Sequence, residues 1–281
     1  MIHIVTDSTA QLTASEIKQY HIHVVPLQVM FEGKTYKDQI DIDSEEFSRI
    51  LATEKEFPTT SQPTMGDFVN TFQQIIDKDP KAQIISIHIG SKLSGTSSTA
   101  EVAAEQFKNE IAVIDSKSAI RGMDYLLIRA AQLAQQGTDF PVILKDLHKL
   151  EKHTHLYLFI NNLDYLVKGG RASKATGFIS SIIRLKPVIT FENNELDFKY
   201  KCRGNKQLNK IKDRVVAEII ANPNIKDVGL PFVDDNTTSL AIADALHEAR
   251  PDIHTTVNYV SPSLMPHAGP GGFAIVYNDQ F

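Results

Sequence analysis

Gln83-Ile84-Ile85-Ser86-Ile87-His88-Ile89-Gly90-Ser91-Lys92-Leu93-Ser94-Gly95-Thr96 passes from a β-branched run through a polar turn into the helix-forming stretch that contains Ala100-Glu101-Val102-Ala103-Ala104. A short apolar run closed by turn residues reads as a buried strand, and Ser, Gly and Thr ahead of a helical stretch read as a helix start. The same alternation runs through the first half of the chain, with strands expected at Ile2–Thr6, Ile22–Phe31, Gln83–His88 and Ile111–Asp115. Between them, Thr13-Ala14-Ser15-Glu16 has capping-box spacing, Asp43 or Ser44 can cap a helix through Ile50-Leu51, and Pro63 can open one carrying Phe68, Phe72, Ile75 and Ile76. Glu32-Gly33 reads as a tight hairpin turn at one sheet edge. Strands alternating with helices predict an α/β unit built on a largely parallel sheet.

From Met123 to Leu150 two helices are expected, joined around Gly137-Thr138-Asp139, and Leu156–Ile160 opens a second sheet. Pro187–Phe191 and Leu196–Lys201 flank Glu192-Asn193-Asn194-Glu195, which reads as a hairpin. A helix with Leu208, Ile211, Val215, Val216, Ile219 and Ile220 on one face follows, then a strand near Val228–Val233, a helix from Asp235 to Arg250, and strands near Thr255–Val260 and Phe273–Tyr277. Pro231 cannot donate to a ladder and interrupts the first of these strands. The expected fold class is α/β in two domains: residues 1–155 with a parallel sheet and residues 156–281 with a mixed, α+β sheet.

The 281 residues carry 29 Lys and Arg against 34 Asp and Glu, a formal net charge of −5. An acidic balance argues against a nucleic-acid backbone as main partner, because that role needs a basic footprint. Apolar runs such as Leu156 to Ile160 fall short of the roughly 18 residues of a membrane span. The opening Met1-Ile2-His3-Ile4-Val5-Thr6-Asp7 reads as a strand and not a secretion signal, so a cytoplasmic protein is expected. Cys202, the single cysteine, has no partner for a disulfide or a thiolate metal site.

Four polar segments fall at strand ends or helix starts, where open α/β sheets place ligands: Asp7-Ser8-Thr9, Thr59-Thr60-Ser61-Gln62-Pro63, Ser91 to Thr96, and Asp115-Ser116-Lys117-Ser118. Ser94-Gly95-Thr96 suits an anion best, since a helix start offers unpaired N–H groups and glycine permits close approach. Ordinary Ser/Thr capping accounts for the same pattern. Lys168-Gly169-Gly170-Arg171-Ala172-Ser173-Lys174 and Arg203-Gly204-Asn205-Lys206 are basic turns, and His267 sits in a glycine-rich segment from Met265 to Gly272. His21 with His23, and His153 with His155, have strand spacing but no carboxylate neighbour in sequence, so surface histidines are expected rather than metal ligands. The P-loop, the dinucleotide fingerprint and the nucleophile elbow are all absent.

Val5-Thr6-Asp7-Ser8-Thr9, Thr59 to Pro63, Leu93-Ser94-Gly95-Thr96, Asp115 to Ser118, Gly169-Gly170-Arg171 and His267-Ala268-Gly269-Pro270-Gly271 occur in this order. Together they resemble the DegV family of fatty-acid-binding proteins, which includes the FakB subunits of bacterial fatty acid kinase. The resemblance spans about residues 3–279. It implies a two-domain carrier that buries one long-chain fatty acid, such as palmitate, in an apolar tunnel and serves lipid transport or fatty acid metabolism. It implies Thr60 and Ser94 on the carboxylate, with Ser61, Gly95, Thr96 and His267 close by. Arg171 and Arg203 would present the carboxylate to a separate kinase subunit that makes the acyl-phosphate. The carrier itself would hold no cofactor, metal or nucleotide and no catalytic residue, and would touch membranes only transiently. Phe273, after the C-terminal glycines, would narrow the tunnel. Two alternatives remain: a hydrolase or phosphotransfer site built from Ser94, His267 and Asp7 or Asp115, and a small-molecule-responsive regulator on the same fold.

Overall fold

The computed structural model describes residues 1–53, 56–172, 175–176, 185–192 and 194–281. In the first half, β1 (Ile2–Asp7), β2 (His23–Val25), β6 (Gln83–His88) and β7 (Ile111–Asp115) form a four-stranded parallel sheet in the order β2-β1-β6-β7. Its strands are apolar on both faces because both are covered. Val5 and Ile84 pack with Phe68 and Phe72 of α3 (Met65–Lys78) and Ala100 of α4 (Thr96–Ala104). Ile4, Ile85 and Ile87 pack with α5 (Arg121–Gln135) and α6 (Phe140–Leu150). Two-sided burial is what a parallel sheet demands.

The capping box ahead of α1 (Ala14–Tyr20) forms as its spacing predicts, with Thr13 and Glu16 bonded reciprocally. Asp43 Oδ1 accepts from Glu46 N at 2.7 Å at the start of α2 (Ser44–Thr53). Two expectations are corrected. The run Ile22–Phe31 is not one strand: it breaks at Pro26-Leu27 into β2 and β3 (Gln28–Phe31), because proline cannot donate to a ladder. Strand β3 pairs with β4 (Lys34–Lys37) through the Glu32-Gly33 turn and with β5 (Thr59–Ser61), making a separate three-stranded antiparallel sheet in the order β4-β3-β5. Both turn residues have positive φ, 49° and 69°, as a tight hairpin requires. The helix after β5 is opened by Thr64, capped reciprocally with Asp67, and not by Pro63.

The second half builds on β8 (Thr154–Phe159), β9 (Ala175–Thr176), β10 (Lys186–Glu192), β11 (Glu195–Cys202), β12 (Asp227–Gly229), β13 (His254–Thr256) and β14 (Phe273–Asn278). They form a mixed sheet in the order β13-β12-β14-β8-β10-β11-β9. Of the β10–β11 turn, Asn193 lies outside the described residues. The strand expected over Val228–Val233 is only three residues long, since Pro231 stops it and leaves Phe232 isolated bridges to Tyr259 and Phe273. On one face, Tyr157 and Phe159 pack with α8 (Asn205–Ala221) and α9 (Thr237–Ala249), and Cys202 is buried in that cluster. On the other, Leu156, Ile189 and Val276 turn toward the first half and meet Tyr125 of α5.

Helix α5 is therefore sandwiched between the two large sheets, and every residue from Arg121 to Ile128 is buried. Tyr125 donates to the carbonyls of Asp227 and Val276 at 3.0 and 3.1 Å. Arg121, 1% exposed, donates from Nε and Nη2 to Asp227 at 2.9 and 2.7 Å and from Nη1 to Glu16 at 2.7 Å. Gly229 leaves the space its stem occupies, since a Cβ there would collide with Arg121 Cβ and Cγ. His153 and His155 are partly exposed at the start of β8, as surface or strand histidines, and their carboxylate partner is distant in sequence: Asp279, at 2.9 and 3.4 Å, supplied from beyond β14.

Breaking one side of a buried ion pair strands the other charge, at a cost of about 3–5 kcal/mol. Asp227→Ala, which leaves Arg121 with Glu16 alone at hydrogen-bond distance, is expected to lower the unfolding free energy by up to about that amount in urea titrations, whereas Asp252→Ala, on exposed pairs with Lys226 and Arg250, is expected to cost much less. Equal losses would contradict a structural role for the buried pair.

Candidate functional site

A cavity lies where the three sheets meet, lined by residues of the small antiparallel sheet, of the mixed sheet and of the loops that follow strands of the parallel sheet. Its wall is divided by chemistry. One part is aliphatic and aromatic, with Leu156, Leu158, Phe191, Leu196, Ile120 and Ala274 among its residues. The strand period explains this surface: Leu156 and Leu158 alternate with Tyr157, which faces α8 and α9 instead. Phe273 lines the cavity and stacks on Phe159 with ring centroids 4.6 Å apart.

The other part is polar. Thr9, Thr60, Ser61, Gln62, Ser94, Arg171, Ser263 and His267 contribute to it. Thr60 lies on β5 of the three-stranded sheet, Ser94 just before α4 of the parallel sheet, and His267 on α10 (Met265–Ala268), between β13 and β14. His267 Nε2 is 3.0 Å from Thr60 Oγ1. Its Nδ1 is buried and has no hydrogen-bond partner among the described residues. Burial, followed by the charge of Arg171, pushes the His267 pKa down to about 3, so the ring is neutral at physiological pH. Ser94 Oγ and Thr96 Oγ1 are 2.8 Å apart. Ser61 Oγ donates to Gln28 Oε1 at 3.3 Å. Gly95 caps α4 with no side-chain hydrogen bond.

Arg171 follows α7 (Leu163–Lys168) and donates from Nε to Leu93 O at 3.1 Å and from Nη1 to Gly169 O at 2.8 Å. These bonds hold a cation at the cavity wall beside the loop that carries Ser94, where the sequence alone gives a solvated turn. Ser173 and Lys174 of the same basic turn lie outside the described residues. Arg203 is exposed at the β11–α8 turn and is not part of the cavity wall.

The remaining polar motifs support the wall. Asp7 accepts from Thr9 N and Ile89 N, both at 3.0 Å, and lies 3.0 Å from His88 Nδ1, whose Nε2 is 2.7 Å from Ser86 Oγ. Ser86, His88 and Asp7 thus have the order of a hydrolytic triad, but all three are fully buried and outside the cavity wall. His88 is the partner that sequence reading missed, and its signal is the polar pair Ser86 and His88 in an otherwise apolar strand. Asp115 accepts from the backbone of Ser91 and Lys117 and from Asn194, so its segment is a turn brace away from the cavity. The hydrolase constellation does not assemble: Ser94 meets Thr96, His267 meets Thr60, and Asp7 meets His88. Ser261 and Ser263, hydroxyls that no sequence motif marks, are buried as well. Ser263 donates to Asp38 Oδ2 at 2.5 Å and Ser8 to the same atom at 2.7 Å, and burial raises the Asp38 pKa to about 7 against these bonds.

A family model for uncharacterised DegV proteins matches residues 1–280. A DegV domain-containing protein of Staphylococcus aureus (strain MRSA252) is 33% identical over 273 residues, 97% of either chain. One of Listeria monocytogenes is 34% identical over 286 residues, 98% of either chain. Among solved structures, that of DegV from Bacillus subtilis, a fatty acid binding protein, superposes with a TM-score of 0.90 at 28% identity, covering 99% of this chain and 98% of that one. A structure of fatty acid binding by a DegV family protein from Thermus thermophilus gives 0.88 at 27% identity, with 99% of both chains covered. Among the described residues no helix is long and apolar enough to cross a membrane, and no cluster of His, Cys, Asp or Glu could hold a metal ion.

A histidine whose folded pKa is depressed contributes stability above its unfolded value of 6.5 and loses it as pH falls toward about 3. His267→Gln is expected to flatten the stability-versus-pH curve in this window by about one proton, read from urea titrations at a series of pH values. An unchanged slope would mean that His267 already protonates in the folded protein.

Proposed function

Given that the chain belongs to the DegV family, we propose that it is a carrier for one long-chain fatty acid, held with the tail along the aliphatic wall and the carboxylate on Thr60 and Ser94. The observation that carries this reading is the division of one cavity into an apolar wall and a cluster of donors around a neutral, buried histidine. The fatty-acid-binding relatives from Bacillus subtilis and Thermus thermophilus support it.

Physical chemistry assigns the parts. Burial contributes about 0.8 kcal/mol per methylene, so a tail of about 15 carbons has a gross driving force near 12 kcal/mol before the costs of binding. A carboxylate, by contrast, leaves water only if donors replace its hydration. Thr60 can donate to it when His267 carries its proton on Nε2 and donates to Thr60 Oγ1; Nδ1 of that tautomer is a buried acceptor with no partner among the described residues. Ser94 and Thr96 share one hydroxyl bond, which leaves the other hydroxyl hydrogen for the ligand. The backbone N–H groups at Gly95 and Thr96 stand at the positive end of α4, Ser61 is adjacent, and Arg171 supplies a fixed positive charge.

The carrier reading assigns phosphorylation to a separate kinase subunit: a carboxylate oxygen forms a bond to the γ-phosphorus of ATP as the bond to the ADP leaving oxygen breaks, giving an acyl-phosphate and ADP. The carboxylate would be presented through the mouth beside Arg171. Exposed Arg203 would face the kinase and not the ligand. Exchange of the acid with lipid needs only transient contact at a membrane surface.

Native mass spectrometry of protein purified from cells is expected to show bound mass in the fatty-acid range. Thr60→Ala and Ser94→Ala should each raise the Kd for palmitic acid by about tenfold or more, the effect of losing a hydrogen bond to a charged group. Protein that is lipid-free and fails to bind a fluorescent fatty acid would refute the carrier reading. With a kinase subunit supplied, Arg203→Ala should slow acyl-phosphate formation at unchanged palmitic acid Kd; loss of binding instead would place Arg203 at the ligand.

A further inference from the structure

Gly95 is a glycine that its backbone does not require. At φ −79° and ψ 14° it occupies a region open to any L-residue. What a side chain would meet is Gln62: a Cβ on Gly95 would lie 2.5 Å from Oε1 at the end of that exposed side chain, 3.2 Å from its Cδ and 3.3 Å from its Nε2, so the glutamine amide would have to move. The Gln62 amide therefore lies against the face of the glycine. Its Nε2 donates to Thr99 Oγ1 at 2.6 Å, and Thr99 Oγ1 donates in turn to Gly95 O at 3.3 Å. Through these contacts the residue following β5 is docked on the first turn of α4.

The two segments joined in this way belong to different sheets. Thr60 and Ser61 ride on the three-stranded sheet and Ser94 on the parallel one, so nothing in either sheet alone fixes the distance between their hydroxyls. Donors serve one carboxylate together only if their separation is held to within about half an ångström. We propose that Gln62 is a positioning residue for the head group: packed in the space that Gly95 leaves, it sets the separation of Thr60 from Ser94 so that both reach the same carboxylate. The assignment rests on the fatty-acid reading above. It explains why glutamine and glycine accompany the hydroxyls in the two motifs.

The test compares palmitic acid with methyl palmitate, which has the same tail but no carboxylate charge, by displacement of a fluorescent fatty acid. Gln62→Ala and Gly95→Ala should each weaken palmitic acid about fivefold, the scale of one neutral hydrogen bond, and leave methyl palmitate unchanged. The double variant should be no weaker than either single one, because a Cβ on Gly95 has no neighbour to displace once the glutamine is gone. Equal weakening of acid and ester, additive effects, or no effect would overturn the assignment. A wild-type protein that binds neither ligand, or does not distinguish them, would instead bring down the fatty-acid reading, and the role of Gln62 with it.

Discussion

Taking a carboxylate out of water costs more than a single hydrogen bond returns, so a lipid carrier has to gather several donors around one point. No one element of this chain supplies them. Thr60 comes from the small antiparallel sheet, Ser94 from the parallel sheet, Arg171 from the turn after α7, and His267 from the segment between β13 and β14. The polar end of the cavity can exist only where these units meet. On the carrier reading the architecture answers that need: three sheets share one junction, and the apolar face of the largest closes over the remainder of the space.

The junction has its own supports. Helix α5 is buried between the two large sheets, and its Arg121 joins α1 and β12 through Glu16 and Asp227. Asp38 ties the loop carrying Ser263 to the end of β1 through Ser8. Both are buried polar links between units that are distant in sequence. They make the relative placement of the sheets specific, which hydrophobic packing alone does poorly. The neutrality of His267 follows from the same burial, and it lets the ring relay a hydrogen bond without bringing a charge that would need its own counter-ion.

Much of this was legible in the sequence. Strand and helix periods show the parallel sheet, the later mixed sheet and the capping box at Thr13, whereas the Thr64 cap of α3 is hidden behind Pro63. The hydroxyl motifs at Thr60 and Ser94 marked two sides of the cavity. What escaped was information that depends on packing between distant segments. The break at Pro26 sends β3 to a different sheet, and only pairing shows that Thr59–Ser61 is its third strand. Asp7 looked like a ligand-facing carboxylate, yet its partner is His88, 81 residues away. Arg171 and Arg203 are equivalent as basic turns in sequence, but only Arg171 reaches the cavity wall. Gly95 looked like a general allowance for close approach, whereas the atom that approaches belongs to Gln62.

The central claim is that one carboxylate sits among Thr60, Ser94 and His267 in an otherwise apolar site. The most direct measurement is carbon-13 NMR of palmitic acid labelled at its carboxyl carbon and added to the purified protein. The account predicts one slowly exchanging bound resonance that does not titrate between pH 5 and pH 8 and that moves in Thr60→Ala and in Ser94→Ala. A labelled carbon that titrates like the acid in free micelles, or a bound resonance indifferent to both substitutions, would contradict it.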